Sequence, residues 1–100
     1  MSGTGLQLIV SPWVEEKLVE YHDVTIMEVE EVFLLYNGLY LKENRETHRS
    51  NPPTWWFIGE TALGRLLKIV FIWDREAGYV VLRTAYEPSD EELNLYEKNI

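Results

Sequence analysis

Cysteine is absent from this chain of 100 residues, which removes disulfide staples, thiolate metal sites and a cysteine nucleophile together. That absence fits a reducing compartment. Histidine is nearly absent: His22 and His48 are the two present, no metal-ligand spacing joins them, and no metal site is expected. The chain has no glycine-rich phosphate loop, no Gly-x-Ser-x-Gly elbow and no helix bearing two metal ligands, so those enzyme classes are unsupported and no cofactor is expected. No apolar run approaches the roughly 20 residues that span a bilayer. Met1-Ser2-Gly3-Thr4-Gly5 lacks the basic residue and apolar stretch of a signal peptide. The expectation is a soluble, cytoplasmic protein with no membrane association. Bases are also few, nine against 17 acids, and the net charge of −8 repels nucleic acid and anionic lipid at long range.

What is present reads as a single globular domain over residues 1–100. Apolar residues make up 46% of the chain and thirteen aromatics provide bulk for a core. The charge is unevenly spread. Residues 11–32 carry seven acids against Lys17, and residues 86–100 carry five acids against Lys98. Residues 42–85 hold seven of the nine bases with five acids, so an anion-binding site would belong in the middle of the chain.

The hydrophobic pattern predicts an α+β fold. Leu6–Val10 suits a first strand, and Ser11-Pro12 caps and opens a helix. In that helix Trp13, Val14, Lys17, Leu18 and Tyr21 recur at helical spacing, leaving Glu15, Glu16 and Glu20 in water. His22 is expected to end it, its imidazole satisfying terminal carbonyls. Thr25-x-x-Glu28 is a capping-box signature for a second helix, with Ile26, Val29, Val32, Phe33 and Tyr36 as its buried stripe. Asn37-Gly38 is expected to stop that helix in the left-handed conformation. Leu39–Leu41 suits a short strand, and residues 43–53 a polar loop. Three β-rich runs, Thr54–Glu60, Arg65–Trp73 and Gly78–Tyr86, have short connections and predict an antiparallel meander. Ser89-x-x-Glu92 is a second capping box, opening a terminal helix with Leu93, Tyr96 and Ile100 on one side. The expected architecture is two N-terminal helices on one face of a mostly antiparallel sheet of about four strands, with a short C-terminal helix.

Candidate chemistry concentrates in two places. The segment Arg45-Glu46-Thr47-His48-Arg49 puts a carboxylate, an imidazole and two guanidiniums within five residues, where His or Glu can move a proton and arginines can hold a phosphate. Its bland alternative is a solvated loop whose charges satisfy one another. Lys68 and Arg83 interrupt apolar strands, and with Arg65 they would form a basic surface on the sheet; structural salt bridges are the bland alternative. Trp55 and Trp56 must point to opposite faces, one toward the helices and one toward the open face or loop, where a ring can stack on a base.

With these residues in view, the chain resembles a group of small bacterial proteins related to BrnT-like toxins, many of which carry the name ADP-ribosyl-(dinitrogen reductase) hydrolase. The resemblance runs from Trp13 to Lys98. It rests on His22-Asp23-Val24-Thr25, on Arg45-Glu46-x-His48-Arg49-x-x-Pro52-Pro53-Thr54-x-Trp56-Phe57-Ile58, on Glu60-Thr61-x-x-Gly64-Arg65-x-Leu67-Lys68-x-Val70-Phe71-Ile72, and on Thr84-Ala85-Tyr86-Glu87-Pro88. It implies a RelE-like fold and the toxin component of a type II toxin–antitoxin system, with an antitoxin protein and RNA as partners. In a metal-independent RNA endonuclease of that kind, cations hold the scissile phosphate while a proton shuttle activates the ribose 2′-hydroxyl.

Carried onto this chain, Gly64-Arg65 matches a Gly-Arg of BrnT-like proteins and Tyr96-Glu97 their terminal Tyr-Glu; for a reaction of that kind, Arg65 and Lys68 would hold phosphate. Tyr86 and His48 would transfer protons, and Glu46 would act as base or orient His48. Arg45, Arg49, Trp56 and Arg83 would bind substrate. The chain departs from the pattern at Thr84-Ala85-Tyr86, where BrnT-like proteins read Ser-Ala-Arg and offer an arginine for phosphate. An ADP-ribosyl hydrolase would need a dimetal site of several aspartates, and only Asp23, Asp74 and Asp90 exist here, at unrelated positions. The alternative to the toxin is a non-catalytic, protein-binding module of the same fold. Convergence of Arg65, Lys68, Tyr86 and His48 on one concave surface would favour the enzyme, and cations each paired with an acid would favour the binding module.

Overall fold

Residues 7–36, 38–43 and 53–99 are described by the computed structural model of the chain. Arg45, Glu46, His48 and Arg49, four of the expected site residues, lie outside them, as does Ile100. The elements run β1 (Gln7–Ile9), α1 (Pro12–His22), α2 (Ile26–Leu35), β2 (Leu41–Lys42), β3 (Thr54–Glu60), β4 (Leu66–Asp74), β5 (Tyr79–Tyr86) and α3 (Asp90–Lys98). The sheet order is β1-β5-β4-β3-β2. The α+β architecture is as expected, with five strands rather than about four. The additional pairing is β1 alongside β5, and it is parallel, Gln7 facing Tyr79 and Ile9 facing Val81. Among the described helices none is long and apolar enough to cross a membrane.

Helix starts follow their caps. Ser11 Oγ accepts from the Val14 amide at 3.2 Å, with Pro12 in the first turn. Both capping boxes close reciprocally, Thr25 with Glu28 and Ser89 with Glu92. Helix α1 ends at His22, as expected. Asp23, not a glycine, takes the left-handed position after α1 at φ 54°. After α2 the cap is Tyr36, extended at φ −82°, and the expected stop at Asn37-Gly38 falls on Asn37, which lies outside the described residues. The Tyr36 hydroxyl donates to the Leu39 carbonyl, tying the segment after the helix.

Alternation assigns the two faces of the sheet. Phe57, Leu67, Ile69, Phe71, Val80, Leu82 and Ala85 form the fully buried layer beneath α2 and α1, with Leu18, Val24, Val29 and Val32 from the helix side. Phe33 and Tyr36 of α2 pack on Phe57 at ring separations of 5.2 and 4.3 Å. Gly59 permits this close approach: a Cβ there would sit 2.9 Å from Val32 Cγ1. Helix α1 buries less than its spacing predicts. Leu18 is its buried residue, while Trp13 and Tyr21 are 66% and 68% exposed. The short helix lies against β5, and one row of side chains is enough to seal that contact.

The opposite face is not fully open, because α3 covers part of it. Trp55 and Trp56 do diverge. Trp55 meets Trp73 at 5.7 Å between ring centroids, and Trp56 packs on Tyr96 of α3 at 5.6 Å. Trp56 is 8% exposed, which leaves little ring surface for stacking on a base. The β4–β5 ladder slips between Val70 and Phe71: Val70 faces Thr84 and Phe71 faces Leu82, leaving Arg83 as the extra residue of a bulge.

Candidate functional site

The β3–β4 turn places Arg65. Gly64 takes φ 88°, its amide donates to the Thr61 carbonyl at 2.9 Å, and the Arg65 amide donates to Thr61 Oγ1 at 3.1 Å. The Arg65 side chain reaches from there to three other parts of the fold. Nη1 donates to both carboxylate oxygens of Glu28 at 3.1 and 3.0 Å, and to the Asp23 carbonyl at 2.8 Å. Nε donates to Glu87 at 2.8 Å and Nη2 to the His22 carbonyl at 3.4 Å. This guanidinium thus satisfies the His22 and Asp23 carbonyls at the end of α1, the task expected of the His22 imidazole. The hydrogen bonds it donates to Glu28 and then to Glu87 push the Arg65 pKa still higher. Glu28 is lowered, first by the Thr25 amide and then by Arg65 against the cost of burial.

Lys68 and Tyr86 are direct cross-strand partners on the α3 side. Both reach the same oxygen: Lys68 Nζ donates to Glu92 Oε2 at 2.8 Å and the Tyr86 hydroxyl donates to it at 2.9 Å. The other oxygen, Oε1, accepts from the Ser89 amide at 2.9 Å, completing the cap of α3. The Lys68 ammonium also lies 4.6 Å from the Trp56 ring centroid. Burial raises the Glu92 carboxyl, but hydrogen bonds from Lys68, the Ser89 amide and Tyr86 outweigh it and hold the pKa at about 2. Burial, followed by the hydrogen bond to Glu92, pushes the Tyr86 phenol up.

Two clefts flank this chemistry. One, of about 510 Å³, is lined by Leu41, Lys42, Trp56, Lys68, Glu92 and Leu95. The other, of about 530 Å³, is lined by Tyr21, His22, Asp23, Arg65, Tyr86 and Glu87, with His22 and Tyr86 rings 5.4 Å apart. Of the expected site residues the structure brings together Lys68, Tyr86 and Trp56. Arg65 shares the second cleft with Tyr86, and Arg83 is exposed in the bulge, lines neither cleft, and forms no ion pair among the described residues. Among the described residues no group of three His, Asp or Glu side chains is placed to hold a metal ion.

Glu92, Glu28 and Glu87 were absent from the expected site, and they decide its charge. Two of the three were half visible: Glu28 and Glu92 read as capping-box residues, whose second carboxylate oxygen remains available to a cation. No family model matches the chain, and no curated protein is detectably similar to it.

Proposed function

We propose that this protein is a non-catalytic, protein-binding module with the RelE-like architecture of the BrnT-like toxin group. The observation that carries this reading is the closure of the expected phosphate-binding cations by carboxylates. Arg65 is held by Glu28 and Glu87, and Lys68 by Glu92, so two cations meet three anions and the local balance is negative. A phosphate entering either cleft would have to displace a carboxylate already at hydrogen-bond distance, in a chain of net charge −8.

The metal-independent RNA endonuclease of a toxin–antitoxin pair is the second reading, and the meeting of Lys68, Tyr86 and Glu92 beside Trp56 favours it. In that reaction Lys68 would hold the scissile phosphate, Glu92 would take the 2′-hydroxyl proton and Tyr86 would protonate the leaving oxygen. The acidity that its partners impose on Glu92 opposes it. A general base works best with a pKa near the operating pH, and a carboxyl at about 2 is too weak a base for that step at neutrality.

Induced expression in a bacterial host, with growth followed and total RNA examined, tests the choice. The binding module predicts normal growth and intact RNA. Growth arrest with RNA cleavage that disappears in Tyr86→Phe would replace it with the endonuclease.

A further inference from the structure

On the helix-covered side, away from both clefts above, a third cleft of about 310 Å³ opens between α2 and β1. Leu8, Phe33, Tyr36 and Tyr40 form its walls, with Leu34 and Glu30 at its rim. Its lining is aromatic and aliphatic, yet apolar side chains at its rim and along the same helix are not withdrawn from water. Leu34 is 81% exposed, and Met27, two turns earlier on the same stripe of α2, is 69% exposed. Apolar side chains left in water around a pre-formed apolar cleft are the mark of a protein contact surface.

The charge at its lip, where Glu30 stands, and on the helices over this face of the sheet specifies the partner. Helices α1 and α2 carry six carboxylates, Glu15, Glu16, Glu20, Glu28, Glu30 and Glu31, against the one lysine Lys17. Glu28 is consumed by Arg65, Glu31 accepts from the Ala62 amide, and Lys17 lies over the Trp13 ring at 4.5 Å. Glu30 is exposed, no contact ties it among the described residues, and it stands at the lip of the cleft. A second copy of this acidic chain would bring like charges together, and a nucleic acid or anionic membrane would be repelled.

We infer that this cleft docks a basic amphipathic helix of a partner protein, which seats a leucine- or phenylalanine-sized anchor between Phe33, Leu34 and Tyr40 and sets lysines or arginines against Glu30 and the acidic helix layer. The inference rests on the binding-module reading for its biological role, and it names that module's surface and the chemistry of its partner. The mode is helix-in-groove recognition, in which apolar anchors give affinity and the charged rim gives orientation.

The test uses the full chain and a fluorescently labelled synthetic helix with leucine on one face and lysine on the other, read by anisotropy. The same peptide with glutamate in place of lysine is the control. Leu34→Asp and Glu30→Lys are surface changes, and circular dichroism with thermal melting verifies that both variants fold. Leu34→Asp separates the two contributions because it makes the protein more acidic while spoiling the apolar rim. Docking in the cleft predicts binding of the lysine peptide that weakens about tenfold in Leu34→Asp, the size expected for exposing one leucine contact. It also predicts weakening in Glu30→Lys and no measurable binding of the glutamate peptide. Unchanged or tighter binding by Leu34→Asp would reduce the effect to general attraction between opposite charges and overturn the proposal, as would absence of binding or equal binding of the glutamate peptide. RNA cleavage by a protein that still passes this test would remove the non-catalytic reading and leave the docking surface standing.

Discussion

Replacing Glu92 with glutamine tests whether its carboxylate holds the α3 face together. In the folded protein the Glu92 pKa lies at about 2, against an ordinary value of 4.5. A depressed carboxyl contributes stability that is fully present above the unfolded pKa and is lost as pH falls through the folded one. The window therefore runs from about pH 4.5 down to about pH 2. The difference corresponds to roughly 3 kcal/mol at neutral pH as an upper figure, since the Glu92 side chain is 26% exposed. Glutamine cannot reproduce the geometry. Its single acceptor oxygen must serve either the Ser89 amide or the Lys68–Tyr86 pair, and its NH2 group then faces a donor on the other side. The expected loss is about 2 to 3 kcal/mol at pH 7, shrinking toward zero as pH falls through about 2 and the wild-type carboxyl is itself protonated. Urea unfolding of both proteins across this range, followed by tryptophan fluorescence, measures the difference directly. A gap that stayed constant with pH would refute an ionic origin, and a gap below about 0.5 kcal/mol at pH 7 would refute the role in stability.

Arg65→Ala removes the group that joins the end of α1, the start of α2 and Glu87, and should cost about 2 to 4 kcal/mol in urea unfolding, with Arg65→Lys recovering only part because one ammonium cannot span the same acceptors. Growth or activity data from Arg65→Ala therefore need a folding control. Tyr86→Phe loses the hydroxyl donor to Glu92 and should cost about 1 to 2 kcal/mol. The cost should vanish when combined with Glu92→Gln if the two act through one bond, which a double-mutant cycle reads. Gly59→Ala forces a methyl to within 2.9 Å of Val32 Cγ1 and 3.3 Å of the Phe57 ring, and should destabilise by about 1 to 3 kcal/mol as α2 is pushed from the sheet. A neutral effect on the melting temperature would show that α2 has room to shift.

The legible parts of this fold are those written in short sequence spacings. Both capping boxes, the three strands of the meander and the divergence of Trp55 from Trp56 depend on neighbours within a few residues, and period and cap chemistry located them. The parallel pairing of β1 with β5 was not legible, because Gln7–Ile9 is a three-residue strand whose partner lies more than seventy residues away. Nor was the bulge at Arg83. No glycine or proline marks it, and the register slips inside an unbroken β-rich run. That slip matters because strict alternation through Arg83 would misassign faces on one side of it.

The site was half legible for a reason that follows from the caps themselves. A capping-box glutamate spends one carboxylate oxygen on the N-cap amide and retains a second acceptor position. Glu92 spends Oε1 on Ser89 and turns Oε2 to Lys68 and Tyr86. Glu28 binds the Thr25 amide through Oε1 and receives Arg65 on both oxygens. The sequence spacing reveals the first duty, three residues away, and hides the second, 24 and 37 residues away. A basic residue interrupting an apolar strand thus carries two meanings that composition cannot separate: a free cation awaiting an anion, or the counterion of a helix cap elsewhere in the chain. Here the second applies to both Arg65 and Lys68. The same carboxylates that start α2 and α3 fasten those helices to the sheet, and any anionic ligand must first compete with the caps of the fold.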